Sequence, residues 1–319
     1  MHTSSPRILI TGAAGQLGTE LTAELQKLYG EANVIATDIR TPKNFQGIFE
    51  NIDVTNTIRL AYLIDKYKIT QIYHLVAILS AKGEQNPTLA WQINVEVTRQ
   101  ILEIAREKRL EKVYVPSSIA VFGDKTPKHN APQYTILNPS TIYGVSKLTC
   151  EMLFEYYYQK YNLDVRSLRY PGIISYKAMP GGGTTDYAID IFHKAVARKP
   201  YECFLKPDTY LPMIYMPDAL QATLQVMHAE AHKLRVRTSY NIGAMTFSPR
   251  QIFEEIQKHL PEFQITYQPD FRQQIADSWV HSIDDSFARE DWGWQPTFDL
   301  PAMVADMLVH LQKREMAWA

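Results

Sequence analysis

The 319-residue chain sets 33 Lys and Arg against 34 Asp and Glu, for a formal net charge of -1, and 45% of its residues are hydrophobic. That is enough apolar material for one large α/β unit with a smaller lobe, and the near-neutral balance speaks against nucleic acid or an anionic membrane as the main partner. No stretch approaches the roughly 20 apolar residues of a membrane span, residues 1–6 read as neither signal nor transit peptide, and two cysteines distant in sequence, Cys150 and Cys203, exclude a disulfide framework or a cysteine zinc site. The expectation is a soluble protein of the reducing cytoplasm.

The first predicted element is a buried strand in Arg7-Ile8-Leu9-Ile10, followed by Thr11-Gly12-Ala13-Ala14-Gly15-Gln16-Leu17-Gly18, which turns and opens into a helix. Glycines at 12, 15 and 18 let the backbone turn tightly and lie close to a pyrophosphate, whose charge then meets the unpartnered N–H groups at the helix start. Val34 to Asp38 predicts a second strand, and its terminal carboxylate is placed to accept hydrogen bonds from adenosine ribose hydroxyls. Strand, glycines, helix, second strand and acid in register predict a dinucleotide site, with NAD as the cofactor.

After Asp38 the pattern predicts a loop, then Asp53-Val54 and a helix from about Thr55. Gln71 to Leu75 predicts a strand, and Asn86-Pro87 an N-cap with proline in the first helical position, opening a helix that reaches about Lys108. Lys112 to Pro116 is the next strand, Ile142 to Tyr161 a long helix, and Asp164 to Tyr170 a further strand. This alternation predicts a doubly wound parallel sheet of the Rossmann type. Beyond Pro171 it becomes irregular. Met179 to Thr185 reads as a flexible break, and helices follow at about 217–229, 248–259 and 299–312. The expected division is a dinucleotide-binding domain over 1–170 and a mainly substrate-binding lobe over 171–319, interleaved with the sheet.

Tyr143-Gly144-Val145-Ser146-Lys147 places a phenol and an ammonium four residues apart on one helix face. A free tyrosine titrates near pH ~10, and a neighbouring lysine cation stabilises the phenolate and lowers that value. Such a tyrosine takes the proton from a substrate hydroxyl as hydride leaves its carbon. Upstream, Val113-Tyr114-Val115-Pro116-Ser117-Ser118 ends a strand with two hydroxyls, either of which is placed to bond the reacting oxygen. His74 has no second metal-type ligand beside it and reads as structural; no metal is implied.

Together these residues resemble the extended short-chain dehydrogenase/reductase family: TGxxGxxG at 11–18, a serine before the turn, and YxxxK at 143–147. The resemblance implies a catalytic triad of Ser118, Tyr143 and Lys147, with Lys147 also holding the nicotinamide ribose. It implies adenine contacts from Asp53 and Val54, a cofactor wall of Leu75, Val76 and Ala77, and support for the lysine from Asn94 through water, unless Asn94 is merely a polar residue on a helix flank. Ser80-Ala81-Lys82-Gly83-Glu84, Pro180-Gly181-Gly182-Gly183-Thr184-Thr185-Asp186, Leu211-Pro212-Met213-Ile214-Tyr215-Met216-Pro217-Asp218 and Ala276-Asp277-Ser278-Trp279 look like the short-chain, epimerase-like type of L-threonine 3-dehydrogenases, over nearly the whole chain.

That resemblance implies oxidation of the L-threonine secondary hydroxyl to 2-amino-3-oxobutanoate. A zwitterionic substrate needs donors for its carboxylate, and Ser80, Thr185 and the backbone amides of Gly181–Gly183, Gly182 among them, are the candidates. Trp279 either covers the substrate or fills the lobe core. The enzyme alternative is a nucleotide-sugar epimerase or dehydratase, but Phe122 stands where many of those carry tyrosine, and Pro171-Gly172 where Phe-Asn is common. A redox-sensing binding protein is the non-enzyme alternative, against which the complete Ser-Tyr-Lys set argues. The family further implies a homodimer through the helix bearing Tyr143 and the one before it, with Leu148, Met152, Phe154, Tyr156 and Tyr157 as the surplus apolar positions.

Overall fold

The computed structural model describes residues 5–177 and 181–316. Residues 1–4 of the N-terminal segment, and Met179 and Pro180 of the glycine-rich break, therefore lie outside the described residues. The first half runs β1 (Ile8–Thr11), α1 (Gln16–Tyr29), β2 (Val34–Asp38), β3 (Ile48–Asn51), α2 (Thr57–Tyr67), β4 (Gln71–His74), α3 (Ser80–Gln85), α4 (Pro87–Trp91), α5 (Val97–Glu107), β5 (Lys112–Tyr114), β6 (Ser117–Ser118), α6 (Ile142–Tyr161) and β7 (Val165–Arg166). Six of these strands form one parallel sheet in the order β3-β2-β1-β4-β5-β7. The winding reverses between β1 and β4, so the loop after β1 opens at the switch point, where a parallel sheet leaves a crevice for ligand. β1 and β2 are buried along their whole length, as strands covered on both faces must be.

The second half continues with β8 (Leu168–Tyr170), β9 (Gly172–Ile174), α7 (Tyr187–Val196), β10 (Tyr201–Cys203), β11 (Leu211–Tyr215), α8 (Met216–His228), β12 (Tyr240–Asn241), β13 (Met245–Phe247), α9 (Pro249–His259), β14 (Ile265–Tyr267), α10 (Arg272–Ser278), α11 (Ser286–Trp292) and α12 (Leu300–Met316). β8 pairs with β6 and β12, β11 lies between β9 and β13, and β10 pairs with β14. Residues of α7, α9 and α12, including Phe192, Ile252 and Met307, share a core with Phe247. α8 instead returns to the first sheet: Ala219, Ala222 and Val226 share a core with Ile8, Ile10, Leu21 and Leu25, where Trp294 is also buried. Among the described residues no helix is long and apolar enough to cross a membrane.

Three local features depart from the sequence expectation. The stretch read as loop after Asp38 contains β3, a half-buried edge strand whose short, partly polar sequence carries no strong apolar signal. The single strand expected over 164–170 divides at Ser167: β7 pairs with β5 in the large sheet, whereas β8 joins β6 and β12. Every residue on both sides of that division is buried, so the pattern gives no sign of a change of sheet. The helix opened by Asn86, whose side chain caps the Leu89 N–H at 3.1 Å, is interrupted by a π-turn at Gln92–Glu96 that carries Asn94.

Candidate active site

The glycine loop is built by contact. Gly12 has a left-handed φ of +78°, and a Cβ there would lie 3.0 Å from Val76 N, so the loop packs directly on the 75–77 segment. A Cβ on Gly18 would overlap the Gly12 carbonyl oxygen and lie 2.9 Å from Ala13 Cα, so α1 starts in backbone contact with the loop. The Asp38 carboxylate, nearly buried, turns towards this loop and accepts the Ala14 N–H at 3.1 Å and the Arg40 N–H at 3.0 Å. The exposed Arg40 Nε lies 3.9 Å from Asp38. Gln16 ties the loop to β9 through the Ile173 carbonyl at 3.2 Å, and Leu17 packs towards the β1–α1 core.

Val54 is buried, whereas Asp53 is exposed and closes its own turn by accepting the Thr55 N–H at 2.9 Å. The Leu75 N–H donates to the Thr11 carbonyl at 2.9 Å, and Ala77 packs against the lobe core. A backbone cradle that any side chain would fill, a buried acid at its rim and a helix N-terminus together fit a dinucleotide. The Asn94 side chain bonds the Ile78 backbone, at 2.8 and 3.0 Å, and Ser146 Oγ at 3.1 Å, and so clamps the segment behind the cofactor wall.

α6 begins where Thr141 caps the Gly144 N–H at 3.0 Å. A Cβ on Gly144 would overlap the Ala120 carbonyl oxygen, so the helix start presses against the turn after β6. Ser118 Oγ accepts the Ala120 N–H at 3.2 Å and lies near the Tyr143 phenol, whose ionised form it favours. Lys147 Nζ donates to the Pro116 carbonyl at 2.7 Å and stands 5.7 Å from the Tyr143 ring centre. Ser117 points away and donates to Glu151 Oε1 at 2.6 Å. Of the two serines, Ser118 is the one on the tyrosine, because neighbours in a strand face opposite sides.

The electrostatics correct one expectation. Burial pushes Tyr143 up to about 12, opposed by the nearby Ser118 hydroxyl; the Lys147 cation is not what sets it. Burial also pushes the Lys147 ammonium down, opposed by the neighbouring Cys150 thiol and Glu151 carboxylate. Both groups are desolvated, and the lysine is directed at a carbonyl rather than at the phenol. His74 is buried, shares a 2.7 Å hydrogen bond with Thr11 Oγ1, and is pushed down to about 3 by burial and by the Lys147 charge. It is neutral and structural.

On the substrate side, Ser80 Oγ and Thr184 Oγ1 lie 3.2 Å apart and buried. The Gly182 and Gly183 N–H groups both donate to Asp186 Oδ2 at 2.8 Å, so the amides expected to receive a substrate carboxylate are already occupied by a carboxylate of the chain itself. Asp186 is a residue that the sequence reading gives no role, and no local sequence signal marks a side chain that bonds amides three and four residues before it. A Cβ on Gly172 would lie 2.7 Å from Thr185 Cβ, so the side chain missing at 172 makes room for Thr185. Trp279 is 4% exposed and shares a core with Val121, Phe122, Tyr143 and Ile275. A cavity of about 470 Å³ is lined by Lys206, Asp208, Thr209, Gln273, Asp277 and His281. No group of three or more metal-type side chains is present among the described residues.

Comparison with known proteins gives concordant matches. The model of the NAD dependent epimerase/dehydratase family matches residues 8–243. The mitochondrial L-threonine 3-dehydrogenase of Bos taurus is 49% identical over 306 residues, covering 95% of this chain and 82% of the bovine one. The holo structure of a GalE-like L-threonine dehydrogenase from Cupriavidus necator superposes with a TM-score of 0.94 at 50% identity, over 96% of this chain and 100% of that one. A monomeric L-threonine 3-dehydrogenase from a metagenome, in its apo form, gives a TM-score of 0.94 at 44% identity, over 96% and 99% of the two chains.

Proposed function

The chain belongs to the NAD dependent epimerase/dehydratase family, and from that premise we propose that it oxidises the secondary hydroxyl of L-threonine to 2-amino-3-oxobutanoate. The observation that carries this reading is the meeting of Ser118, at the end of the parallel strand β6, with Tyr143 and Lys147 in the first turns of α6. Three relatives sharing 44–50% of the sequence, each an L-threonine dehydrogenase by name, narrow the substrate. NAD, when bound, supplies the hydride acceptor.

The chain's own part is positional and acid–base. The glycine loop and the start of α1 would hold the diphosphate of the cofactor, and Asp38 the adenosine ribose. Ser118 orients the substrate hydroxyl, Tyr143 Oη accepts its proton, and Lys147, held by the Pro116 carbonyl, keeps its ammonium group beside the tyrosine. Ser80 and Thr185 flank the amino-acid end. Thr185 packed into the space at Gly172 leaves no room for the asparagine of nucleotide-sugar enzymes, which disfavours the epimerase alternative. The reading assigns 1–170 mainly to the cofactor and 171–319 mainly to the substrate, with α8 returning to the sheet.

The test follows NADH absorbance with purified protein, NAD or NADP, and a panel of L-threonine, D-threonine, L-serine and UDP-sugars. L-Threonine with NAD is the expected productive pair. L-Serine lacks one methyl, worth about 1–3 kcal/mol of discrimination, and turns over poorly. Asp38 repels a 2′-phosphate, so NADP is the weaker cofactor. Conversion of a UDP-sugar without net NADH, and none from threonine, overturns the reading; equal use of NADP shifts cofactor control to Arg40.

The oligomer reading is narrower than the sequence expectation. Phe154 and Tyr157 are core residues and Leu148 is half-buried, whereas Met152 and Tyr156 are 48% and 47% exposed on the outer face of α6. We propose that these two, with Val145, form a homodimer contact. Light scattering at micromolar concentration is expected to give twice the chain mass, and a monomer mass removes the proposal. Two free, buried cysteines fit a reducing cytoplasm, the compartment this reading assigns.

A further inference from the structure

Three consecutive residues attach to one face of α6. The Pro116 carbonyl accepts from Lys147 Nζ, Ser117 Oγ donates to Glu151, and Ser118 lies near Tyr143. Positions 143, 147 and 151 are four apart, so the short strand is fastened to the helix by three successive rungs. Two of the rungs end on reacting groups. The third ends on a carboxylate that is 0% exposed and has no assigned chemistry.

Glu151 is bound by Arg169, with Nη2 to Oε2 at 2.7 Å and Nε to Oε1 and Oε2 at 3.0 and 3.2 Å. The remaining Arg169 nitrogen donates to the Gln133 carbonyl at 3.1 Å and to Asn241 Oδ1 at 3.0 Å. The pair thus joins α6 to β8 and β12 through the interior. Buried ion pairs contribute little net stability compared with well-packed apolar residues, so stability alone does not account for this one. Its position one turn beyond Lys147, and its bond to Ser117, the neighbour of Ser118, does.

We infer that Glu151 is a positioning residue for the reaction: its carboxylate, locked by Arg169, sets the register of Ser117 and Ser118 against Tyr143 and places a negative charge one turn from Lys147. This rests on the reading of Ser118, Tyr143 and Lys147 as the reacting groups. The charged and titratable groups facing Lys147 are Glu151, Cys150 and Tyr143 on α6 and the neutral His74 from β4, with Arg169 of β8 behind Glu151. Removing the Glu151 charge leaves Arg169 uncompensated, and Lys147 then loses its proton at lower pH.

Two variants separate the two effects. Ser117→Ala removes one rung and keeps the ion pair; kcat is expected to fall about tenfold through misplacement, with the alkaline limb of the pH profile unmoved. Glu151→Gln is expected to lower kcat further and to move that limb about one unit towards neutral. Crystal structures of both variants report whether Ser118 separates from Tyr143, whatever the substrate. A wild-type protein inert towards threonine would sink the substrate reading alone, because the crystal structures still test the positioning role. Wild-type kcat and pH limb in both variants, or an unchanged Ser118–Tyr143 contact in both, overturns the inference and leaves Glu151 an ordinary structural ion pair. Should Glu151→Gln fail to fold, Ser117→Ala decides.

Discussion

Replacing Tyr143 by phenylalanine is expected to lower kcat for threonine oxidation by about a hundredfold to ten-thousandfold, the range supplied by one positioned acid–base group. The ring survives the change, and so does its packing against the lobe core beside Val121, Phe122 and Trp279. Ser118 keeps its bond from the Ala120 N–H, so no buried hydroxyl is stranded, and the melting temperature should move little. NAD affinity, measured by titration of the ligand-free protein, should stay close to wild type, because the glycine loop and Asp38 are untouched. In the wild-type enzyme turnover should rise from neutral towards alkaline pH: burial holds Tyr143 at about 12, so the proton-accepting form grows as pH rises. A phenylalanine variant with normal turnover would remove Tyr143 from the mechanism.

What could be read in the sequence was whatever is enforced locally. The glycines at 12 and 18 announce themselves because a positive φ and a backbone contact admit no other residue. The bounds of α6 were legible because Thr141 caps its start, and Asn162, in left-handed conformation, ends it. The Glu151–Arg169 pair was not legible. It joins residues 18 apart across two elements, and pairing of that kind has no periodicity. Asp186 escaped for a related reason: its carboxylate uses the glycine amides that an unpaired reading reserves for substrate. Trp279 stayed ambiguous because an aromatic at a helix end looks the same whether it covers a ligand or fills a core. The titration of Tyr143 was misjudged because sequence shows the lysine four residues on but not that both groups are desolvated.

Gly18→Ala tests the cofactor cradle, and its expected effect is loss of most NAD affinity, at least about a hundredfold by analogy with other small misplacements at a site. Helix propensity alone argues the other way, since alanine in a helix is favoured over glycine by about 1 kcal/mol. Sterics decide it. The new methyl would overlap the Gly12 carbonyl oxygen and lie 2.9 Å from Ala13 Cα, and both neighbours are backbone that cannot rotate aside. Either α1 backs off the loop or the loop shifts on the 75–77 segment, where a Gly12 Cβ would already be only 3.0 Å from Val76 N. Overpacking of this kind costs about 1–3 kcal/mol, enough to cancel the propensity gain, so the ligand-free protein is expected to be no more stable than wild type. The movement also takes the helix N-terminus and the loop amides out of line with a diphosphate. Thermal unfolding with and without NAD separates the two effects, because a ligand that binds only the folded state raises the melting temperature according to its affinity. Gly15→Ala serves as the comparison: its Cβ would lie 3.2 Å from the same oxygen at an ordinary φ, so a milder loss is expected. An unaltered NAD-dependent shift in Gly18→Ala would mean that the loop does not hold the cofactor.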